Sequence, residues 1–413
     1  MNCVIKQFII YSTGAIILRL ITAISVLYTI KFIPPDEFGV LALLNNLIVF
    51  LPIILGLGLR QVLAIEFFNI KNHWGLVWEL LVIYLGFAIP AIMLLLYNLS
   101  WLNQILFLNN INPKLLILAL LTCLINFFPE LLFQLLRFQN RALLLAIIQI
   151  LMGIMVATIT IHLLVINQLG LASVIWAQLI TQGAATGYLG YLLVKNWSSF
   201  KKPHLTTIIT YLKIGLPFIP NILFAWLIMA CNRWLLNWQS DLTSVGVYSL
   251  AENISLMFQT LITQPIMHSF LPQAFAKFNQ NQANLKQIAR QYNRFACWFI
   301  LFFVITIPAS FMIFKPILCY LLPTKYIQAL PLITPLLIAQ AIFAGTYITS
   351  ASIQYRKKTH ILAILMGTSA MISISINLWL IPTCGIYSCA IAANCAYLFY
   401  FFAIQALKNY FHF

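Results

Sequence analysis

The stretch ALLLAIIQILMGIMVATITIHLLVI, residues 142–166, decides the fold. It contains no Asp, Glu, Lys or Arg, and Arg141 directly precedes it. About 20 consecutive apolar residues are enough to cross the hydrocarbon core of a bilayer as an α-helix. Its apolar residues do not alternate with polar ones at every second position, as they do in the strands of a membrane barrel. The stretch therefore predicts a transmembrane α-helix.

The composition extends this prediction to the whole chain. Of the 413 residues, 62% are hydrophobic and only 7% are charged, whereas a soluble domain has roughly 25% charged residues. Such a chain could not hide its apolar side chains in a water-soluble core, and inside lipid only helices and closed barrels satisfy their own backbone. We predict an all-α polytopic membrane protein with no soluble domain of any size.

The apolar runs predict about twelve spans in two sets of six. The first set lies near residues 8–33, 39–66, 77–98, 114–136, 142–166 and 172–194. The second set lies near residues 210–236, 245–272, 292–314, 330–352, 360–381 and 388–407. A polar, basic segment divides the sets, so we predict an N-terminal lobe over residues 1–200 and a C-terminal lobe over residues 201–413. Six crossings return each half to its starting side, which predicts parallel repeats.

The distribution of Lys and Arg predicts the orientation, because cytoplasmic loops are enriched in both. One side of the predicted topology collects sixteen of the 23 basic residues, the other side collects four, and three lie inside spans. Both termini are therefore expected in the cytoplasm, with the chain in the cell inner membrane. The short basic loops are expected to contact anionic lipid, and their dispersal along the chain argues against a nucleic-acid partner.

One glycine-containing pattern recurs in corresponding positions of the halves. The second span opens FGVLALLNNL from Phe38 and the eighth opens VGVYSLAENI from Val245, which aligns Gly39 with Gly246. In the seventh span, GLPFIPN places Pro217 and Pro220 three residues apart. Proline kinks a helix, so the two prolines indicate either a hinge or a static kink. GAATGYLG, residues 183–190, has the GxxxG spacing that is typical of close helix packing.

Three arginines lie inside predicted spans, where charge is costly. Arg19 is near the middle of the first span, Arg60 near the inner end of the second, and Arg233 near the outer end of the seventh. An arginine at the bilayer centre costs roughly 2.5–3.5 kcal/mol on insertion scales. Arg19 should therefore face a hydrated cavity or an anionic partner, whereas Arg60 and Arg233 could face the same cavity or extend to the interface.

Glu252 is the one acid that lies well inside a predicted span. It could pair with Arg233 or carry a coupling proton. The deep charge is nonetheless mainly positive, and guanidinium groups bind phosphate oxygens in pairs, so the pattern favours an anionic substrate. No HExxH, Walker or GxSxG motif is present, and we predict no catalytic residue, metal site or cofactor.

The chain resembles the polysaccharide-biosynthesis (O-antigen) flippases of the multidrug/oligosaccharidyl-lipid/polysaccharide (MOP) exporter superfamily. The likeness is carried by IPPDEFGVLALLNNL from Ile33, LGLGLRQVLA from Leu55, KIGLPFIPN from Lys213 and IPTCGIYSCAIAANCAY from Ile381. Asn232 departs from the family pattern, which often has aspartate before the arginine. The resemblance implies two six-helix, MATE-like lobes and translocation of a polyprenyl-diphosphate-linked oligosaccharide by alternating access. It also implies that Arg19, Arg60 and, more loosely, Arg233 bind the diphosphate.

The resemblance implies an ion gradient or the membrane potential as the energy source, and a glycan polymerase and chain-length machinery as partners. Two other function classes stay open. A drug/cation antiporter of the same fold would need acids in its cleft, of which Glu252 is the candidate. A membrane-embedded glycan polymerase or ligase would be expected to carry a sizeable outer loop, and the outer loops here are short.

Overall fold

The computed structural model describes residues 2–108, 110–139, 141–196, 203–264, 266, 270, 274, 277–278, 285–355 and 359–410. Within these residues the chain is helical and contains no strand. It separates into two compact units: unit 1 is Met1–Ile33 with Val40–Leu223, and unit 2 is Pro34–Gly39 with Phe224–Phe413. The predicted lobe boundary between residues 200 and 201 lies outside the described residues and stays a prediction.

Unit 1 is built on the first helices of the chain. They are α1 (Asn2–Phe32), α2 (Pro35–Leu55), α3 (Leu59–Glu66), α4 (His73–Tyr97), α5 (Leu99–Phe107), α6 (Pro113–Phe138), α7 (Ala142–Val165), α8 (Ala172–Lys195) and α9 (Leu205–Gly215). The first residues of α2 belong to unit 2. In unit 1, α1 packs against α7, α8 packs against both α6 and α7, and α9 packs against α3.

Unit 2 contains the remaining helices. They are α10 (Ile219–Gln239, which begins in unit 1), α11 (Leu242–Phe258), α12 (Leu285–Leu321), α13 (Leu330–Tyr355), α14 (Thr359–Cys384) and α15 (Tyr387–Tyr410). A π-helical turn, Gln259–Thr263, extends α11. The most buried helix is α13, which packs against α11, α12 and α15. Small residues such as Ala341, Ala344 and Gly345 permit this close packing.

Ten helices in the described ranges are long and apolar enough to cross a membrane. They correspond to ten of the twelve predicted spans. The sixth and eighth predicted spans are also helical, as α8 and as α11 with its π-turn. The prediction of an all-α polytopic membrane protein is confirmed. The nine-residue helix α5 was not predicted, and it is too short to cross the bilayer core.

The second predicted span differs from the structure, because it is two helices and not one. Helix α2 ends at Leu55, and α3 begins at Leu59. Between them Leu57 and Gly58 have left-handed φ angles of 49° and 69°, which an α-helix cannot accommodate. The backbone of Gly58 lies directly against that of Gly215 at the end of α9, where no Cβ would fit. The break therefore both ends α2 and makes room for α9.

Candidate functional site

Arg19 lies in α1 and has no acidic partner within the described part of the chain. The helix packs on α7 through Gly14, Leu18 and Ile21, which face Ala146 and Gly153. At ~100° per residue, Arg19 points about 130° away from that packed face. Its side chain is partly buried, and its Nε is fully buried with no hydrogen-bond partner among the residues that the structure describes. A cationic group in this position is poorly satisfied by the protein itself, so an anion or water would stabilise it.

Arg60 sits in the first turn of α3, directly after the left-handed break. Its Nη1 donates to Oε2 of Glu130 on α6 at 2.9 Å. One turn further along α6, Gln134 Nε2 donates to the backbone carbonyl of Arg60 at 2.7 Å. The side chains of the ion pair are 37% and 44% exposed. Pairs at this exposure contribute only about 0–1 kcal/mol, so the contact fixes the position of Arg60 without binding it tightly.

Arg233 and Glu252 form a second ion pair of a different character. The Arg233 Nη2 and Nε donate to the same carboxylate oxygen, Oε2, at 2.6 and 2.8 Å. The two side chains are only 12% and 8% exposed. Removing one partner of a buried pair costs roughly 3–5 kcal/mol because a charge is left uncompensated. The geometry matches the pairing with Arg233 that the sequence left open for Glu252. Because both side chains are buried, separating Arg233 from Glu252 would be energetically unfavourable.

A buried polar chain extends from this pair into the interior of unit 2. The Tyr248 hydroxyl donates to Oε1 of Glu252 at 3.3 Å and accepts from Nδ2 of Asn232 at 3.0 Å. Asn377 on α14 donates to Oδ1 of Asn232 at 2.8 Å. Asn232, Tyr248 and Asn377 are each at most 1% exposed. The amide of Asn232, where the family pattern often has aspartate, serves here as both donor and acceptor between three helices.

The two prolines of the seventh predicted span lie at a break between helices. Pro217 is in a 3-10 turn, Leu216–Phe218, that separates α9 from α10, and Pro220 is in the first turn of α10. The boundary between the units follows at residue 223. On the unit 1 side, α9 is held by the backbone contact of Gly215 and by a 3.0 Å hydrogen bond from the Tyr211 hydroxyl to Glu79 Oε2. The chain thus changes helix type close to where it passes from one unit to the other.

The predicted site residues fall into separate parts of the molecule. Arg19 and Arg60 belong to unit 1, whereas Arg233 and Glu252 belong to unit 2. Among the residues described, no group of three or more His, Cys, Asp or Glu side chains could hold a metal ion.

Sequence reasoning missed the partners Glu130, Gln134, Tyr248 and Asn377. The four-residue spacings of Glu130 with Gln134 and of Tyr248 with Glu252 on their helices are a signal for three of them, whereas no local spacing indicates Asn377.

Comparison with solved structures places the fold. With Lipid II flippase MurJ in an inward closed conformation, the TM-score is 0.72 at 13% identity, covering 96% of this chain and 87% of that one. With an outward-facing multidrug resistance MATE family transporter of the MOP superfamily, the TM-score is 0.67 at 16% identity, and the match covers 98% of this chain and 96% of that one. With an inward-facing MATE family transporter, the TM-score is 0.62 at 15% identity, and the match covers 98% of this chain and 95% of that one. At these identities the likeness establishes a shared fold.

Comparison of sequences is more specific. No curated protein matches the chain. The family model described as polysaccharide biosynthesis protein matches residues 4–279, about two thirds of the chain. The match includes the break after α2, the seventh predicted span and both ion pairs. The chain belongs to the polysaccharide biosynthesis protein family.

Proposed function

We propose that this multi-pass membrane protein is a flippase that moves a polyprenyl-diphosphate-linked oligosaccharide, such as an O-antigen repeat unit, across the cytoplasmic membrane. Transport runs from the inner to the outer face by alternating access. The family match supports a role in making a surface polysaccharide. The helical composition, with ten helices able to cross a membrane, supports a role inside the bilayer.

The proposal rests mainly on the surroundings of Arg19 in α1. A membrane protein gains nothing from an unpaired arginine in a span unless something binds it, because the insertion cost of roughly 2.5–3.5 kcal/mol is not repaid. Within the described part of the chain, the buried Nε of Arg19 has no hydrogen-bond partner, and the residue lies away from the α7-packed face of its helix. A diphosphate offers the paired oxygens that a guanidinium binds best. In this proposal Arg19 is the principal ligand of the substrate headgroup.

The other predicted site residues take graded roles in the proposal. Arg60 is the second diphosphate ligand, because its exposed ion pair with Glu130 contributes little free energy and can be exchanged for a phosphate. Arg233 and Glu252 are mainly structural, because protonating Glu252 would leave a buried guanidinium without its partner. Proton transfer at Glu252 would therefore require Arg233 to move. Pro217 and Pro220 are proposed as the hinge, and an ion gradient or the membrane potential as the energy source.

The setting of the proposed flippase follows from the same scheme. Both termini are cytoplasmic, the basic loops contact anionic lipid of the inner leaflet, and a glycan polymerase with its chain-length machinery takes over the exported unit. The drug/cation antiporter is less well supported, because its candidate acid, Glu252, is already occupied by Arg233 and Tyr248. A glycan polymerase or ligase would be recognised by new glycosidic bonds in vesicles that contain the purified protein.

The proposal is tested by replacing Arg19 in the organism's own gene. Arg19→Ala should reduce surface polysaccharide at least tenfold and leave lipid-linked oligosaccharide at the inner face, with Arg19→Lys intermediate because lysine retains the charge but not the paired donors. Arg141→Ala, which removes an exposed arginine at the start of α7, is the matched control and should be neutral. Normal surface polysaccharide in Arg19→Ala cells, with normal amounts of protein in the membrane, would overturn the proposal.

A further inference from the structure

Glu130 and Gln134 hold Arg60 from the same helix face. Four residues apart on α6, they contact two different parts of one residue: Gln134 binds the Arg60 carbonyl and Glu130 binds its guanidinium. Helix α3 starts immediately after the left-handed Leu57–Gly58 pair, and Gln134 adds a side-chain contact from α6 to the packing of its first turn. The hydrogen bond from Gln134 fixes the position of the Arg60 backbone, and the carboxylate of Glu130 fixes the position of its guanidinium group.

The contact between Arg60 and Glu130 uses only part of the guanidinium. Among the described residues, the hydrogen bond joins Nη1 to a single carboxylate oxygen. The paired edge formed by Nη2 and Nε, which matches two oxygens of a phosphate, is not used by Glu130. In contrast, the buried Arg233 presents two nitrogens to Glu252. Arg60 is therefore oriented by its acid through a single hydrogen bond, which a ligand that presents two oxygens can outcompete.

We propose that Glu130 is the resident counter-ion of Arg60 and sets the affinity threshold of the headgroup site, an inference that rests on the proposed flippase function. Without substrate, Glu130 holds the guanidinium; with substrate, a phosphate group takes it over. A monoanionic carboxylate ligand gains nothing by replacing another carboxylate. A diphosphate carries more charge and can bind through two oxygens, so it displaces Glu130. The pair thus weakens binding of every anion by a similar factor, and a diphosphate still binds where a single carboxylate does not.

The charge balance around the two unit 1 arginines supports this assignment. Arg19 has no acid in contact among the described residues, whereas Arg60 has one that is 44% exposed and hence free to be rehydrated when it is released. An acid buried like Glu252 could not act in this way, since its release would leave two charges in apolar surroundings. Of the two ion pairs, only the exposed Arg60–Glu130 pair can open without leaving a buried charge, as a counter-ion that gives way to substrate must do.

Binding to the purified full-length protein in nanodiscs tests the inference, with farnesyl diphosphate and dodecanoate as probes. Glu130→Gln removes the competing charge and should tighten binding of farnesyl diphosphate and of dodecanoate by a similar factor, roughly two- to fivefold. Glu66→Gln is the matched control, because Glu66 is an acid at the other end of α3 whose described contact is Asn69. It should change neither affinity. In an Arg60→Ala background, Glu130→Gln should have no effect.

The outcomes separate the two proposals. If the unaltered protein binds farnesyl diphosphate and Arg60→Ala weakens it, but Glu130→Gln leaves the affinity unchanged, the flippase proposal stands and the counter-ion role is overturned. The counter-ion role is likewise overturned if the effect of Glu130→Gln persists without Arg60. Absence of binding by the unaltered, folded protein overturns both. Should Glu130→Gln fail to fold, Glu130→Asp, which withdraws the carboxylate by one methylene, must show the same tightening of farnesyl diphosphate binding.

Discussion

Gly39 and Gly246 lie backbone against backbone in a reciprocal contact within unit 2. Each is the fifth residue of its helix, α2 and α11 respectively. A Cβ on Gly39 would lie 3.1 Å from the Gly246 nitrogen, and a Cβ on Gly246 would lie 3.0 Å from the Gly39 nitrogen. Each would also overlap a carbonyl oxygen of the opposite helix, that of Leu242 or Pro35. These are the two glycines that align when the halves of the sequence are compared.

The first prediction concerns the space at this contact. Gly246→Ala should lower the free energy of unfolding by about 1–3 kcal/mol, because the added methyl forces the two helix ends apart. Chemical denaturation of the purified protein in detergent measures the change. Gly187→Ala is the control, since a Cβ at that position in α8 meets nothing within 4 Å, and alanine is the better helix former. Equal stability of the two variants would show that the contact tolerates a methyl group.

The second prediction compares the two ion pairs. Glu252→Gln should destabilise the protein by about 3–5 kcal/mol, because it leaves Arg233 buried without a counter-charge. Arg60→Met should cost only about 0–1 kcal/mol, because its pair is exposed. The same denaturation measurement applies to both. Replacing both members, as Arg233→Met with Glu252→Leu, should recover much of the loss. Similar costs for the two single variants would show that burial does not distinguish the pairs.

The third prediction concerns the break at Pro217. Pro217→Ala restores a backbone N–H and permits a continuous helix through the 3-10 turn. If the break is the hinge, transport should fall severalfold while the protein remains folded. Surface polysaccharide per molecule of membrane-inserted protein is the measurement. Pro90→Ala, which removes a proline inside α4, should leave transport unaltered. Full activity of Pro217→Ala would reduce the break to a static kink.

The fourth prediction concerns orientation, which rests on sixteen basic residues on one predicted side against four on the other. In a variant without native cysteines, Asp241→Cys should react with a membrane-impermeant maleimide in intact cells. Lys71→Cys should react only after the membrane is opened. Both positions lie outside the ten membrane-crossing helices. The reverse labelling pattern would place the termini outside the cytoplasm.

The sequence was sufficient to predict the helices but not their contacts. Apolar runs predict spans because lipid leaves the backbone no alternative to a helix, and within the described ranges the twelve predicted runs are helical apart from the break after α2. The break after α2 was missed because LGLGLR is as apolar as a span. Its left-handed residues depend on the approach of Gly215, about 157 positions away in the chain.

The partners of the charged and buried polar residues could not be predicted from the sequence either. Arg60 and Glu130 are 70 positions apart, and Asn232 and Asn377 are 145 apart, so no local pattern joins them. Among the described residues, a Cβ at Gly183 or Gly187 meets nothing within 4 Å, so the GxxxG spacing marks no close packing there. The cost of burying Arg19, by contrast, follows from its position alone, and its role in binding a headgroup stays a prediction.

Translocation by the purified protein in proteoliposomes tests the proposed role of Arg19 without the rest of the cell. Lipid-linked oligosaccharide is placed in one leaflet, and its appearance in the other is followed with a lectin that cannot cross the membrane. We expect transfer by the unaltered protein, transfer at least tenfold slower with Arg19→Ala, and transfer near the unaltered rate with Arg141→Ala. Transfer by Arg19→Ala at the unaltered rate would show that Arg19 does not bind the headgroup during transport.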